Sequence, residues 1–119
     1  YKNIFISVEN FLRNLDQDNW AVNYIYWELN LLKELGFDPY LEQFSKNLDE
    51  LSGNKIIEID NIKYQVPIFL LKNQKNKKIN TKNILIALSF TRNLLSNKFF
   101  LPNNLIFPKA RIIFENYFN

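Results

Sequence analysis

NWAVNYIYWELNLLKELG, residues 19–36, has the period of a single helix. At 100° per residue Ala21, Val22, Ile25, Leu29, Leu32 and Leu35 form a broad apolar arc, with Asn23, Asn30 and Glu34 opposite. Asp18 or Asn19 can cap the start, and Gly36 can take the left-handed position after the end. Glu28 breaks the pattern, because it falls inside the arc between Leu32 and Leu35. An unpaired buried carboxylate is very costly, so Glu28 needs a cation or a place at the rim. Tyr26 and Trp27 fall on the polar side, where large aromatics need another partner and mark a contact surface.

Before this helix, Ile4, Phe5, Val8, Phe11, Leu12 and Leu15 repeat at helical spacing and predict a first helix over about 3–15. The polar Asp16-Gln17-Asp18 link makes the two helices antiparallel neighbours. Beyond Gly36, Asp38-Pro39 marks a turn and Tyr40 to Leu48 reads as a short irregular or helical piece. The period then changes. Ile57 and Ile59, then Ile62, Tyr64 and Val66, alternate around Asp60-Asn61, which predicts a β-hairpin over about 55–66, ended by Pro67. A lone hairpin is marginal in water, so it must pack on the helices.

Thr81 or Asn83 can cap a helix over about 83–98, with Ile84, Ala87, Leu88, Thr91, Leu94 and Leu95 as its buried stripe and Arg92 at the edge. Pro102-Asn103-Asn104 is a turn. Pro108 suits the first turn of a last helix, with Ala110, Ile113, Phe114 and Tyr117 facing inward and Arg111 at the border. The expected fold is mostly α: a small helical bundle, one domain over 1–119, with one hairpin between the N-terminal and C-terminal helices.

The 119 residues include no cysteine and no histidine. That excludes disulfides, thiolate or imidazole zinc sites and every catalytic set built on histidine. No apolar run is long enough to span a bilayer, and no signal-peptide pattern is present. The absence of cysteine is compatible with the cytoplasm. The absence of methionine, even at position 1, reads most simply as a segment of a longer chain. With glycine only at 36 and 53 there is no phosphate-binding loop, and no catalytic constellation is visible, so a non-enzymatic role without cofactor or metal is expected.

Charge is unevenly placed. Residues 1–60 carry 5 basic and 11 acidic side chains, whereas residues 61–119 carry 10 basic and 1 acidic, Glu115. Such a basic half either faces a polyanion or neutralises the acidic half within one fold. Lys72, Lys75, Lys77, Lys78 and Lys82 lie in an acid-free segment, which reads as a solvated loop or as a set of phosphate contacts. Arg92 and Arg111, two of the three arginines, border apolar stripes and are the candidate partners of Glu28, because the guanidinium fork can hold both carboxylate oxygens. Arg92 is the first choice and Arg111 the second, with a network shared by both as the remaining alternative. From the residues alone, the chain is a small, charge-polarised binding or scaffold module.

The order of motifs goes further. WELNLLKELGF at 27–37 resembles the "FEL-x-LL-x-x-LG" helix of the bacterial recombination mediator RecO. A hairpin follows, then PIFLL at 67–71, LSFTRNLLSNKF at 88–99 and FPKARIIFENYF at 107–118. This succession resembles the RecO carboxy-terminal domain, most closely its alphaproteobacterial branch, over nearly the whole chain. The resemblance implies a non-enzymatic DNA repair domain that assists single-stranded DNA binding, annealing and recombinase loading through single-strand binding protein and RecR. It implies a place in the bacterial cytoplasm, at the nucleoid. The family's amino-terminal OB-fold domain has no counterpart here. Many RecO proteins hold zinc on four cysteines, whose places fall near Phe44 to Asn47 and at Asp60-Asn61, where no cysteine stands. Tyr26 stands where some relatives have a basic residue near the groove for the acidic tail of single-strand binding protein. On this resemblance Glu28, Arg92 and Arg111 are either a structural ion pair or part of that groove, and Tyr26 and Trp27 either pack at a domain interface, the preferred reading, or stack bases. The alternative class is a small helical interaction domain with no nucleic-acid role.

Overall fold

The computed structural model describes residues 20–46, 48, 53–72 and 79–116. The expected first helix over 3–15, the caps at Asp18 or Asn19, and Tyr117 lie outside them. The organising helix is α1, Trp20–Glu34. It ends as its glycine requires. Gly36 has φ +90°, its N–H donates to the Lys33 carbonyl at 3.0 Å, and the Phe37 N–H donates to the Leu32 carbonyl at 2.9 Å. These two bonds close the last turn in the Schellman pattern, which a residue without Cβ adopts freely. One turn of 3-10 helix follows at Leu41–Phe44.

The hairpin pairs β1, Asn54–Ile59, with β2, Ile62–Pro67, antiparallel and in the register Ile57 opposite Tyr64. Asp60 and Asn61 both take positive φ, 51° and 68°, the two-residue turn whose twist matches the strands. The inner face, with Ile57, Tyr64 and Val66, is buried against the helices. Tyr64 meets the Phe90 ring edge-on at 5.7 Å. Pro67 closes β2 and opens a single helical turn, α2, Ile68–Leu71, all four residues of which are buried.

Helix α3 spans Thr81–Leu95. Its cap is Asn80, not Thr81 or Asn83: the Asn80 side chain accepts from the Asn83 N–H at 2.8 Å. The helix does not stop at 98 either. It runs on into a wider π turn, Ser96–Phe100, where the Leu101 N–H donates to the Ser96 carbonyl at 2.9 Å. The extra residue in that turn shifts the buried stripe by one position, so Leu94 and Leu95 are followed by Phe99 and Phe100. The last helix, α4, is Lys109–Asn116.

The core gathers α1, the inner hairpin face, α2, α3 and the π turn around Tyr24, Ile25, Leu32, Leu88 and Phe90. The described residues are thus mostly helical, with one two-stranded hairpin between helices. None of their helices is long and apolar enough to cross a membrane. Two expectations for α4 are corrected. Ile113 is 69% exposed rather than inward, and Arg111 is 1% exposed rather than at the border. The helix is turned so that Arg111, Phe114 and Glu115 face the core. What fixes that rotation is the carboxylate waiting on α1.

Candidate functional site

Glu28 is 2% exposed, inside the apolar arc of α1. Three side chains satisfy it. One turn back, the Tyr24 hydroxyl donates to Oε2 at 2.7 Å. From α3 the Thr91 hydroxyl donates to Oε1 at 2.6 Å. From α4 the Arg111 fork closes on both oxygens, Nε to Oε2 at 2.7 Å and Nη2 to Oε1 at 3.0 Å. Such a bidentate, charge-assisted pair is the strongest arrangement open to a buried carboxylate. Arg111 has donors to spare. Nη2 also reaches the Leu88 carbonyl at 2.9 Å, and Nη1 reaches Glu115 Oε1 at 3.1 Å, one turn along α4.

Glu115 carries the network outward. Its Oε2 pairs with Arg92 Nη1 at 3.1 Å, and the Arg92 side chain is 38% exposed. Two carboxylates and two guanidiniums alternate from core to surface, so their formal charges cancel. Tyr24, Phe107 and Phe114 surround the Arg111 guanidinium with ring centroids at 5.6, 5.9 and 5.9 Å. These aromatic faces add cation–π attraction in a site shielded from water. Among the described residues no buried side-chain nitrogen or oxygen lacks a partner.

The partner of Glu28 is therefore Arg111, and Arg92 is one step removed. The reason is rotation about α3. Position 91 faces α1, and position 92 lies 100° away, where it meets Glu115 and Ser89 instead. Sequence reading missed Tyr24 and Glu115. Both stand four residues from a partner, Tyr24 before Glu28 and Glu115 after Arg111, the spacing that brings side chains together on a helix.

Burial first, and then the Glu28 charge, holds the Tyr24 phenol well above the ordinary tyrosine range. Burial alone would lower Arg111, but the charge of Glu28 and its hydrogen bonds outweigh it and leave the guanidinium higher than usual. Neither group has a proton to exchange near neutral pH. The chemistry of the site is positional: it joins α1, α3 and α4.

Tyr26 and Trp27 are half-buried on the core. The Tyr26 hydroxyl donates to the Phe69 carbonyl at 3.2 Å, and Trp27 stacks on Tyr24 at 5.7 Å. Burial pushes the Tyr26 phenol up to about 12. Lys72 and Lys82 are exposed, while Lys75, Lys77 and Lys78 lie outside the described residues. At one of the places where the resemblance puts zinc cysteines, the hairpin turn, this chain has Asp60, and its carboxylate is paired with the Lys98 ammonium. Among the described residues no three His, Cys, Asp or Glu side chains cluster as metal ligands. The residues at those places do not fit zinc.

The family model described as Recombination protein O C terminal matches residues 1–99. The chain belongs to that family. Recombination protein O C-terminal domains serve DNA repair and recombination as recombination mediators, a family not known as catalytic. Their partners are DNA-related. No curated protein and no solved structure matches the chain. The family match ends before α4, so Arg111 and Glu115 stand beyond it, while Tyr24, Glu28, Thr91 and Arg92 stand within it.

Proposed function

We propose that the chain is the carboxy-terminal helical domain of a recombination mediator, without catalytic activity of its own, that assists single-stranded DNA binding and annealing. Residues 1–119 are read as one such domain, because Arg111 and Glu115 tie α4 to helices inside the family match. Lys72, Lys75, Lys77, Lys78 and Lys82 are assigned to phosphate contacts. One observation carries this: Glu115, the single acid of residues 61–119, is taken up by Arg92 and Arg111. No acid occurs in the sequence from 72 to 82, and such an acid-free run suits a polyanion.

The arginines are assigned to structure. Arg111 is shut in the core between two carboxylates and is in no position to receive an acidic peptide. Recombinase loading through single-strand binding protein and RecR belongs to the same reading, with the half-exposed faces of Tyr26 and Trp27 as the protein-contact surface. A domain with these tasks works in the bacterial cytoplasm, at the nucleoid. The test is the salt dependence of single-stranded DNA binding. Each lysine that neutralises a phosphate contributes roughly 0.7 to the log–log slope, so its replacement by glutamine should lower the slope by that amount. An unchanged slope after all five replacements would refute the assignment and leave the segment a solvated loop.

A further inference from the structure

A cleft of about 590 Å³ opens at the C-terminal end of α1, between the chain that leaves Gly36 and the tip of the hairpin. Lys33, Phe37, Asp38, Tyr40, Asp60 and Lys98 line it. Its volume falls within the roughly 300–1,000 Å³ usual for ligand clefts. Two aromatic rings face it from exposed positions. Phe37 is 37% exposed and Tyr40 60%.

Tyr40 is the unusual residue. Its backbone is left-handed, φ 50° and ψ 54°, a conformation with a steric cost for any residue that has a Cβ. The surroundings hold it there. Pro39 precedes it and is buried, the Asp38 carboxylate accepts from the Tyr40 N–H at 2.9 Å, and the Gln43 N–H donates to the Tyr40 carbonyl at 3.1 Å. Burial offsets little of the cost, since the residue is mostly exposed. A rigidly held, strained and exposed aromatic at the mouth of a cleft is the kind of outlier that marks a ligand site.

The charges select the ligand. The Lys98 ammonium is paired with Asp60, and Asp38 is engaged by the Tyr40 backbone. With two lysines against two aspartates the cleft has no net charge to draw an acidic peptide. It offers aromatic faces beside polar edges, which suit a flat neutral heterocycle. Lys33, in the last turn of α1, stands where a phosphate attached to that heterocycle could be met.

We propose that this cleft takes an unpaired nucleobase of single-stranded DNA, stacked on Tyr40 and flanked by Phe37. The assignment rests on the DNA-binding reading above and adds a stacking site to its phosphate contacts. Base–aromatic stacking is sequence-tolerant, since every base has a π face, as a mediator acting on any strand requires.

The test is Tyr40→Gly in the 119-residue chain. Glycine takes the same backbone freely, so the melting temperature should not fall, and only the ring is removed. The probes are a fluorescent oligothymidylate and an abasic oligomer of equal length. Oligothymidylate affinity should drop roughly 5- to 150-fold, with its salt slope unchanged, while abasic binding should not move. Tyr40→Phe, which keeps the ring, should bind like the parent chain. Equal binding of oligothymidylate by Tyr40→Gly and the parent would overturn the stacking site. The lysine assignment would survive that result if its salt slope held. A parent chain that binds neither oligomer would overturn both. A change in self-association by sedimentation, with DNA affinity unmoved, would make the ring a contact between copies and also overturn it.

Discussion

Replacing Glu28 by alanine is the sharpest test of the buried network. The substitution removes both acceptors of the Arg111 fork, at 2.7 and 3.0 Å, from a guanidinium that is 1% exposed. Breaking a buried pair by deleting one partner costs about 3–5 kcal/mol, because the charge left behind is uncompensated. Here Arg111 keeps Glu115 at 3.1 Å and the Leu88 carbonyl at 2.9 Å, so the lower end, about 3 kcal/mol, is expected. For a chain of this size that is a fall of roughly 12 °C in melting temperature, at about 4 °C per kcal/mol. It is a large share of a total stability of about 5–15 kcal/mol. Urea unfolding reads it as a lower midpoint at constant slope. Two controls separate a stranded charge from the mere removal of hydrogen bonds. In an Arg111→Met background, Glu28→Ala should cost much less, because no guanidinium is stranded. Arg92→Ala, on a half-exposed partner, should cost under about 1 kcal/mol. Equal costs for Glu28→Ala in both backgrounds would refute the reasoning, as would a larger loss for Arg92→Ala than for Glu28→Ala.

Two further outcomes test the same structure. Tyr24 and Tyr26 are held protonated, Tyr24 by burial and the Glu28 charge, Tyr26 by burial up to about 12. Unfolded tyrosines ionise near pH ~10, so the folded phenols contribute stability that is complete below that pH and is lost as pH climbs through 12. The urea midpoint measured against pH should therefore hold to about pH 10 and then fall, and a midpoint flat to strong alkali would contradict it. Asn80→Ala removes the side-chain acceptor at 2.8 Å from Asn83 and should cost about 1 kcal/mol, whereas Thr81→Ala, at an exposed position, should change stability by less than about 0.5 kcal/mol. The reverse order in a thermal melt would return the cap to Thr81.

The parts of the fold legible in the sequence are those fixed locally. Gly36 ends α1 because a left-handed residue must follow the last turn, and that signal sits in one letter. The hairpin is readable because alternation at 57, 59, 62, 64 and 66 brackets two residues that tolerate positive φ. The parts that escape are set by distant contacts. The stripe read from the sequence ends at Leu95, and the π turn that carries burial on to Phe99 and Phe100 has no local signal. Asn80 escapes as a cap because Thr81 and Asn83 carry equivalent oxygens and local sequence cannot choose among three neighbours. Tyr40 gives no signal at all, since its left-handed backbone is imposed by Asp38, Pro39 and Gln43 acting together.

The buried network shows where such reading stops and why. Helical phase puts Glu28 inside an apolar arc, and elementary electrostatics then requires a cation, so the existence of a partner follows from one helix. Its identity does not, because it depends on how α3 and α4 are rotated, and that rotation depends on the pair itself. Helix α4 has eight residues, too few to be stable alone, and Phe114 is its one buried apolar side chain. Judged by apolar periodicity, Ile113 should face inward. It is exposed because turning it inward would carry Arg111 away from Glu28 and leave a carboxylate unpaired in the core, a larger penalty than exposing one isoleucine. The polar residues of α4, not its apolar ones, therefore decide how the helix docks. The family match stops at residue 99, yet the carboxylate that orders α4 lies at position 28, well inside it.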